Sequence, residues 1–216
     1  MAEKVKEKKA AFITVEGLEG CGKSSVIKFL ESYFKKQGIK TQVYREPGST
    51  KIGEEIRKIL LDKKEMALSA YAELLLYLAA RVQLIEERLK EDLSKFDIII
   101  CDRFYDSTLV YQGYALGLGK IAEKSVELFS FGIKPDLTLF LDVDVEVGLS
   151  RLMKKDRIES RPLSFHKKLR EGFLELSRRQ PSRIKAVDAS GSLSEIYSQV
   201  KKILNKEKIS ESITDI

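Results

Sequence analysis

Strand-sized apolar runs alternating with stretches of helical periodicity predict an α/β chain, an open and largely parallel sheet with helices on both faces. Two observations carry that expectation. The run Ala11-Phe12-Ile13-Thr14-Val15 leads into Gly17-Leu18-Glu19-Gly20-Cys21-Gly22-Lys23-Ser24, a match to G-x-x-x-x-G-K-[ST], and then into Val26, Ile27, Leu30, Tyr33 and Phe34 at the spacing of one helix face. Asp97-Ile98-Ile99-Ile100-Cys101 and Leu137-Thr138-Leu139-Phe140-Leu141 are apolar almost throughout, as parallel strands covered on both faces must be.

The elements follow in order. Gly38 stops the first helix, and Lys40-Thr41-Gln42-Val43-Tyr44 reads as the second strand, ending at the turn Arg45-Glu46-Pro47-Gly48. A short helix is expected over 52–61. A long one is expected over 68–93, with Tyr71, Leu74, Leu75, Leu78, Val82, Ile85 and Leu89 on one face. The third strand is 97–101. A helix over 121–131 leads past Pro135 to the fourth strand, 137–141, after which Asp142-Val143-Asp144 starts a helix carrying Val147, Leu149 and Leu152. A basic segment, a helix over 164–177, a strand over 184–187 and a helix from about Ser194 complete the chain.

With 216 residues the chain suits one substantial core. The expected organisation is one domain over 11–206, with a lid at about 151–163, between solvated tails at 1–10 and 207–216. The first residues lack the apolar centre of a signal peptide, and no apolar run reaches the length of a membrane span, so a soluble cytoplasmic protein is expected, with no membrane partner. Cys21 and Cys101 form no C-x-x-C pair, which argues against a disulfide framework or a zinc site. The net charge of +6 suits polyphosphate substrates as well as nucleic acid, and the placement of the charges decides between them.

Sites in such sheets lie beyond the C-terminal ends of the strands. That rule gathers the glycine-rich loop, residues 45–48, Asp102-Arg103 and Asp142 around one cleft. The loop lies at a helix N-terminus, where free N–H groups and the helix dipole attract phosphate. Gly17, Leu18, Glu19, Gly20, Cys21, Gly22, Lys23, Ser24 and Ser25 are therefore the candidate residues for binding a nucleoside triphosphate, with Lys23 reaching the β- and γ-phosphates and Ser24 holding Mg²⁺. Asp102, closing an apolar strand, is the second candidate for Mg²⁺. Arg103 offers a planar fork that could clamp a second phosphate, which a simple nucleotide hydrolase does not need. Its alternative is a structural ion pair with Asp102 or Glu46.

Ordered motifs extend the reading. They are Val15-Glu16-Gly17 to Ser24, Arg45-Glu46-Pro47-Gly48, Tyr77-Leu78-Ala79-Ala80-Arg81, and Asp102-Arg103 with Asp106-Ser107 and Tyr111-Gln112-Gly113. Further on stand Pro135 to Asp142, Asp156-Arg157-Ile158-Glu159 and Val187-Asp188-Ala189. In this set and order the chain resembles the thymidylate kinase family over nearly its whole length. The resemblance implies a three-layer P-loop nucleoside monophosphate kinase fold with a parallel five-stranded sheet, and transfer of the γ-phosphoryl of ATP to thymidine 5′-monophosphate (dTMP) with Mg²⁺. It also implies a homodimer.

The resemblance further implies that Glu19 contacts the 3′-hydroxyl of the acceptor sugar, that Glu46 joins the acceptor site, and that Tyr77 stacks on thymine while Arg81 hydrogen-bonds its O4. Thr108 or Gln112 would read the imide edge, and the Tyr111 ring would crowd a 2′-hydroxyl. With no arginine in the phosphate loop, the chain resembles members whose catalytic cation comes from the lid. Arg157 is the first candidate, and Arg161 and Arg151 follow. Departures from the common pattern are Ser49 for a second glycine, Phe104 after Asp-Arg, and Phe173 for a frequent tyrosine. His166, the single histidine, matches no catalytic role and is expected to be exposed on a helix. The rival readings are another nucleoside monophosphate or deoxynucleoside kinase, and a basic ATPase that binds nucleic acid through 151–170. Against the second stands the absence of any aromatic-rich nucleic-acid module in that stretch.

Overall fold

The computed structural model describes residues 10–62, 68–154, 156–207 and 209. The expected tails therefore lie mostly outside the described residues, as does Lys155 of the basic segment. Ala10 and Ile209 are both buried in the core, so the packed region extends one residue before 11 and to 209 beyond the expected boundary at 206.

Five parallel strands form one sheet in the order β2-β3-β1-β4-β5. They are β1 (Ala11–Gly17), β2 (Thr41–Arg45), β3 (Ile98–Asp102), β4 (Leu137–Asp142) and β5 (Ile184–Asp188). The chain winds from β1 towards β2 on one side and returns to β4 and β5 on the other, so the strand order switches at β1, where a ligand crevice opens. Alternation along the strands separates two layers of core. Ile13, Val15, Ile98 and Ile100 face α1 (Lys23–Lys35) and α9 (Leu193–Lys206), while Phe12, Ile99 and Cys101 pack beneath the long helical segment that begins at Ala70. On α1, Val26, Ile27, Leu30 and Phe34 are the buried stripe, each worth about 1.5–3 kcal/mol of apolar burial.

The short helix is α2 (Lys51–Leu61), capped by the Thr50 side chain. Ser49 before it adopts φ 66, which explains why glycine is common there. Its hydroxyl compensates by accepting from the Arg45 N–H at 2.8 Å. The expected long helix is α3 (Ala70–Leu84), continued by a π-helical turn (Ile85–Leu89) and α4 (Lys90–Asp92). Leu68 and Ser69 precede it, because Ser69 is the N-cap. Its predicted apolar face divides: Leu74, Leu78, Ile85 and Leu89 are buried, whereas Tyr71 and Leu75 are 57% and 63% exposed.

Between β3 and β4 the chain forms α5 (Tyr105–Thr108), a π-helical segment (Leu109–Ala115) and α6 (Gly119–Phe129). The first two were not expected from the sequence. After β4 come α7 (Val145–Ser150) and α8 (Leu163–Arg179), with the described residues between them, 151–154 and 156–162, irregular. His166 on α8 is buried, not exposed, because it lies beside Phe165 on the face of α8 that packs inward. Phe173 is stacked on Phe140 with ring centroids 5.1 Å apart, an apolar setting that favours the ring without a hydroxyl.

Candidate active site

The switch in strand order at β1 opens a cleft of about 250 Å³. From the phosphate loop, Glu19, Gly20, Lys23 and Ser24 line it. Leu18 and Cys21 turn their side chains into the core, so they present only main chain to a ligand. Gly17 ends β1, and Gly22 precedes α1 with φ 97. Ser25 is not among the cleft residues, and its carbonyl accepts from the Tyr197 hydroxyl at 3.4 Å. The Lys23 ammonium donates to the carbonyls of Gly17 and Leu18 at 3.1 and 2.8 Å, which folds its stem across the loop.

Arg103 also lines the cleft. Its backbone has φ 68, a left-handed conformation costly for a residue with a side chain. The structural pair with Asp102 or Glu46 does not form. Instead Arg103 Nη2 donates to Glu19 Oε1 at 2.8 Å, Nη1 donates to the Ser107 hydroxyl at 3.1 Å, and the guanidinium lies over the Tyr111 ring. Tyr111 donates its hydroxyl to the same Glu19 oxygen at 2.8 Å. Burial disfavours charge on Glu19, but Arg103, Lys23 and Tyr111 together outweigh it and hold the carboxyl below its ordinary range. Glu19 Oε2 is buried with no hydrogen-bond partner among the described residues.

Glu16 supports this corner from the inside of β1. It accepts from the N–H groups of Phe104 and Ser107 and from the Ser107 hydroxyl, with Arg103 Nη1 at 3.8 Å. Burial pushes its carboxyl up to about 7, opposed by Arg103 and helped by Asp106. A folded-state pKa above the unfolded value gives stability that is present at low pH and lost as pH rises through about 7. The melting temperature of the protein relative to Glu16→Gln is therefore expected to fall between pH 5 and pH 8. A flat difference across that range would contradict the raised carboxyl.

The rest of the cleft is lined from the end of β2, α2, α3, α5 and the π-helical segment after it. Tyr77, Thr108 and Gln112 line the cleft, with Arg45, Glu46 and Arg57 beside them. Arg81 does not; it is 1% exposed and donates to Glu46 Oε2 from Nε at 2.9 Å and to the Thr108 hydroxyl from Nη2 at 3.0 Å. Arg81 Nη1 and Glu46 Oε1 are both buried without hydrogen-bond partners among the described residues. Burial pushes the Glu46 carboxyl up, against the pull of Arg81.

Asp142, expected at the cleft, is turned away by a two-bond pair with Arg170 at 2.7 and 3.1 Å. In the connection between α7 and α8, Asp156, Ile158 and Glu159 line the cleft, but Arg157 does not. Its guanidinium donates to Leu60 O and to Glu73, each at 2.7 Å, and Arg161 also reaches Glu73 at 2.5 Å. Arg151, in the same connection, lies beside the phosphate loop, donating to Gly20 O at 3.1 Å.

A cation carried on nucleotide phosphates needs only one or two protein ligands. The residues fit that role: Ser24 is exposed in the first turn of α1, and Asp102 Oδ1 is buried without a hydrogen-bond partner among the described residues. No cluster of three or more His, Cys, Asp or Glu suited to a metal occurs among the described residues.

Sequence reasoning passed over Arg57, Glu16 and Glu73. Two signals were available: Glu16 is an acid in an otherwise apolar strand, and Glu73, Tyr77 and Arg81 recur every four residues along one helix stripe.

A family model described as thymidylate kinase matches residues 15–200. Thymidylate kinase of Thermoanaerobacter sp. (strain X514) is 43% identical over 201 residues, covering 92% of this chain and 98% of that protein. The Clostridium novyi (strain NT) thymidylate kinase is 42% identical over 202 residues, covering 91% and 98%. The crystal structure of thymidylate kinase from Ehrlichia chaffeensis superposes with a TM-score of 0.75 at 28% identity, covering 90% of this chain and 98% of that one. With a P-loop at the strand switch and a second basic group in the same cleft, this chain belongs to the thymidylate kinase family.

Proposed function

We propose that the chain transfers the γ-phosphoryl of ATP to dTMP, with the donor on the phosphate loop and the acceptor against Arg103. The observation that carries this reading is that Lys23 of the phosphate loop and Arg103 line one cleft. The loop grips a triphosphate; the guanidinium is positioned for a second anion. An acceptor phosphate oxygen is already a nucleophile, so it attacks the γ-phosphorus as the bond to the β-phosphate oxygen breaks, leaving ADP and dTDP. Catalysis is then alignment and charge neutralisation.

Lys23 turns from the loop carbonyls to the β- and γ-oxygens. Ser24 and Asp102 would hold Mg²⁺, which would neutralise phosphate charge when bound with the nucleotide. Arg57 joins Arg103 on the acceptor phosphate, Glu19 takes the 3′-hydroxyl, Tyr111 crowds the 2′-position, and Tyr77 stacks on the base. Arg81, with its free Nη1, serves O4, held in place by Glu46. For the lid cation, geometry supports Arg151 over Arg157, because Arg157 is engaged on the acceptor half by Glu73.

The nucleic-acid alternative loses support where the basic run is spent on internal partners, including Glu73 and Asp142. No helix among the described residues is long and apolar enough to cross a membrane. A cytoplasmic setting belongs to the same reading, as do the free, buried Cys21 and Cys101. So does a homodimer, supported by exposed Ile52 and Ile59 on α2, Tyr71 and Leu75 on α3, and Ile121 and Leu128 on α6. Sedimentation at twice the 24.6 kDa chain mass checks it, and a monomer at micromolar concentration contradicts it.

The experiment that tests the function is a coupled assay with ATP and Mg²⁺ against a panel of nucleoside monophosphates, repeated with Arg81→Lys and Arg151→Ala. The Lys variant keeps the charge opposite Glu46 but loses the fork, and is expected to reduce preference for thymine about tenfold or more. Arg151→Ala is expected to lower kcat about 10²-fold or more with little change in the KM for ATP. Turnover of another monophosphate with dTMP ignored would overturn the acceptor assignment.

A further inference from the structure

Glu73 on α3 gathers donors from separate parts of the chain. Its side chain is fully buried. Oε1 accepts from Gln112 Nε2 at 3.0 Å, and Oε2 accepts from Nη2 of Arg157 and of Arg161. Gln112 lines the cleft, whereas the two arginines belong to the lid. Arg157 is fastened to the end of α2 as well, through its backbone N–H to Leu61 O at 3.2 Å. An ionised carboxylate only accepts hydrogen bonds. The amide nitrogen of Gln112 must therefore face Glu73, and its carbonyl oxygen remains for the cleft.

We propose that Glu73 is a positioning residue that couples base recognition to lid docking. One oxygen sets the Gln112 amide so that its carbonyl meets the base, and the other seats the lid on the acceptor half. The inference rests on the acceptor assignment above. Thymine presents a donor at N3–H, which the Gln112 carbonyl accepts; cytosine presents an acceptor at N3, which it repels. The bonds from base to Gln112, from Gln112 to Glu73, and from the guanidiniums to Glu73 form one chain in a low-dielectric interior, where each polarises the next. Glu73→Gln keeps the shape but offers both a donor and an acceptor, so the Gln112 amide is free to reverse and neither guanidinium meets a charge.

The chain contains no Trp, and Met153 in the lid is 100% exposed, so Met153→Trp supplies a single fluorescent reporter of lid docking that does not depend on turnover. In that background dTMP is expected to raise the anisotropy. Adding Glu73→Gln is expected to lower the kcat/KM preference for dTMP over dCMP about tenfold or more and to lower the anisotropy, with the KM for ATP changed less than about twofold. Retention of either the preference or the anisotropy overturns the coupling. If the Met153→Trp protein itself used dCMP as readily as dTMP, the acceptor assignment would fall first, and the inference with it. Should Glu73→Gln fail to fold, Gln112→Leu carries the test at saturating dTMP: loss of the anisotropy rise supports the coupling, and an undiminished rise overturns it.

Discussion

Arg103→Ala is expected to lower kcat/KM for dTMP by about 10²- to 10⁴-fold, with the KM for ATP moved no more than a few-fold. The range follows from two charge-assisted hydrogen bonds to a phosphate at about 1.5–3 kcal/mol each. Arg103 lines the cleft beside the loop acid Glu19, and its backbone is held at φ 68 by the chain turn that follows Asp102. Removing it also strips Glu19 of one of its two 2.8 Å partners, leaving a buried carboxylate with less compensation. That second loss raises the Glu19 carboxyl towards its ordinary range or above it, because burial then acts with less opposition. Arg103→Lys separates the two effects: it restores a positive charge beside Glu19 but not the planar fork, and is expected to recover only part of the activity. Steady-state kinetics with each nucleotide varied in turn reads the outcome. An equal rise in both KM values would deny Arg103 an acceptor role.

Gly20→Ala is expected to be highly damaging for so small a substitution. Gly20 adopts φ 72, and a Cβ there would lie 2.0 Å from the carbonyl oxygen of Gly148 and 2.7 Å from its carbonyl carbon. Both contacts are backbone, so no side chain can swing aside. The left-handed conformation costs an alanine about 1–2 kcal/mol, and overpacking adds about 1–3 kcal/mol. Relief requires the phosphate loop and α7 to separate, which moves the N–H groups of the loop. A shift of about 1 Å in positioning groups can cost about 10²-fold in rate. The expected result is a lower melting temperature together with a kcat/KM for ATP reduced about 10²-fold or more. Wild-type affinity for ATP in a folded Gly20→Ala protein would show that the loop does not need this close approach.

The strands and the phosphate loop were legible because their signals are local. Ile98-Ile99-Ile100 can only be a strand buried on both faces, and the Lys23-Ser24 end of the loop needs only the following helix to give it meaning. Tyr77 shows how far residue pattern alone reaches: its place on the helix stripe was readable, and the family resemblance supplied the role. The segment 105–115 was not legible as helix, because a four-residue turn and a π-helical stretch have no 3.6-residue stripe to read. Long-range pairings were equally hidden. Arg103 was weighed against its neighbours Asp102 and Glu46, but the turn at φ 68 aims it at Glu19, 84 residues away in sequence. Arg157 was the first candidate for the catalytic cation on the resemblance to members with lid arginines, and nothing local announced its bond to a buried acid on α3. Tyr71 and Leu75 fit the apolar stripe by spacing, yet periodicity cannot distinguish a face covered by core from one left for a partner.

Competition by a bisubstrate compound, adenosine joined through a chain of phosphates to the 5′-oxygen of thymidine, tests most directly whether one cleft holds donor and acceptor end to end. Inhibition competitive against both ATP and dTMP, with one compound bound per chain, is the predicted result. Inhibition competitive against only one of the two nucleotides, with the other still binding to the inhibited protein, would contradict it.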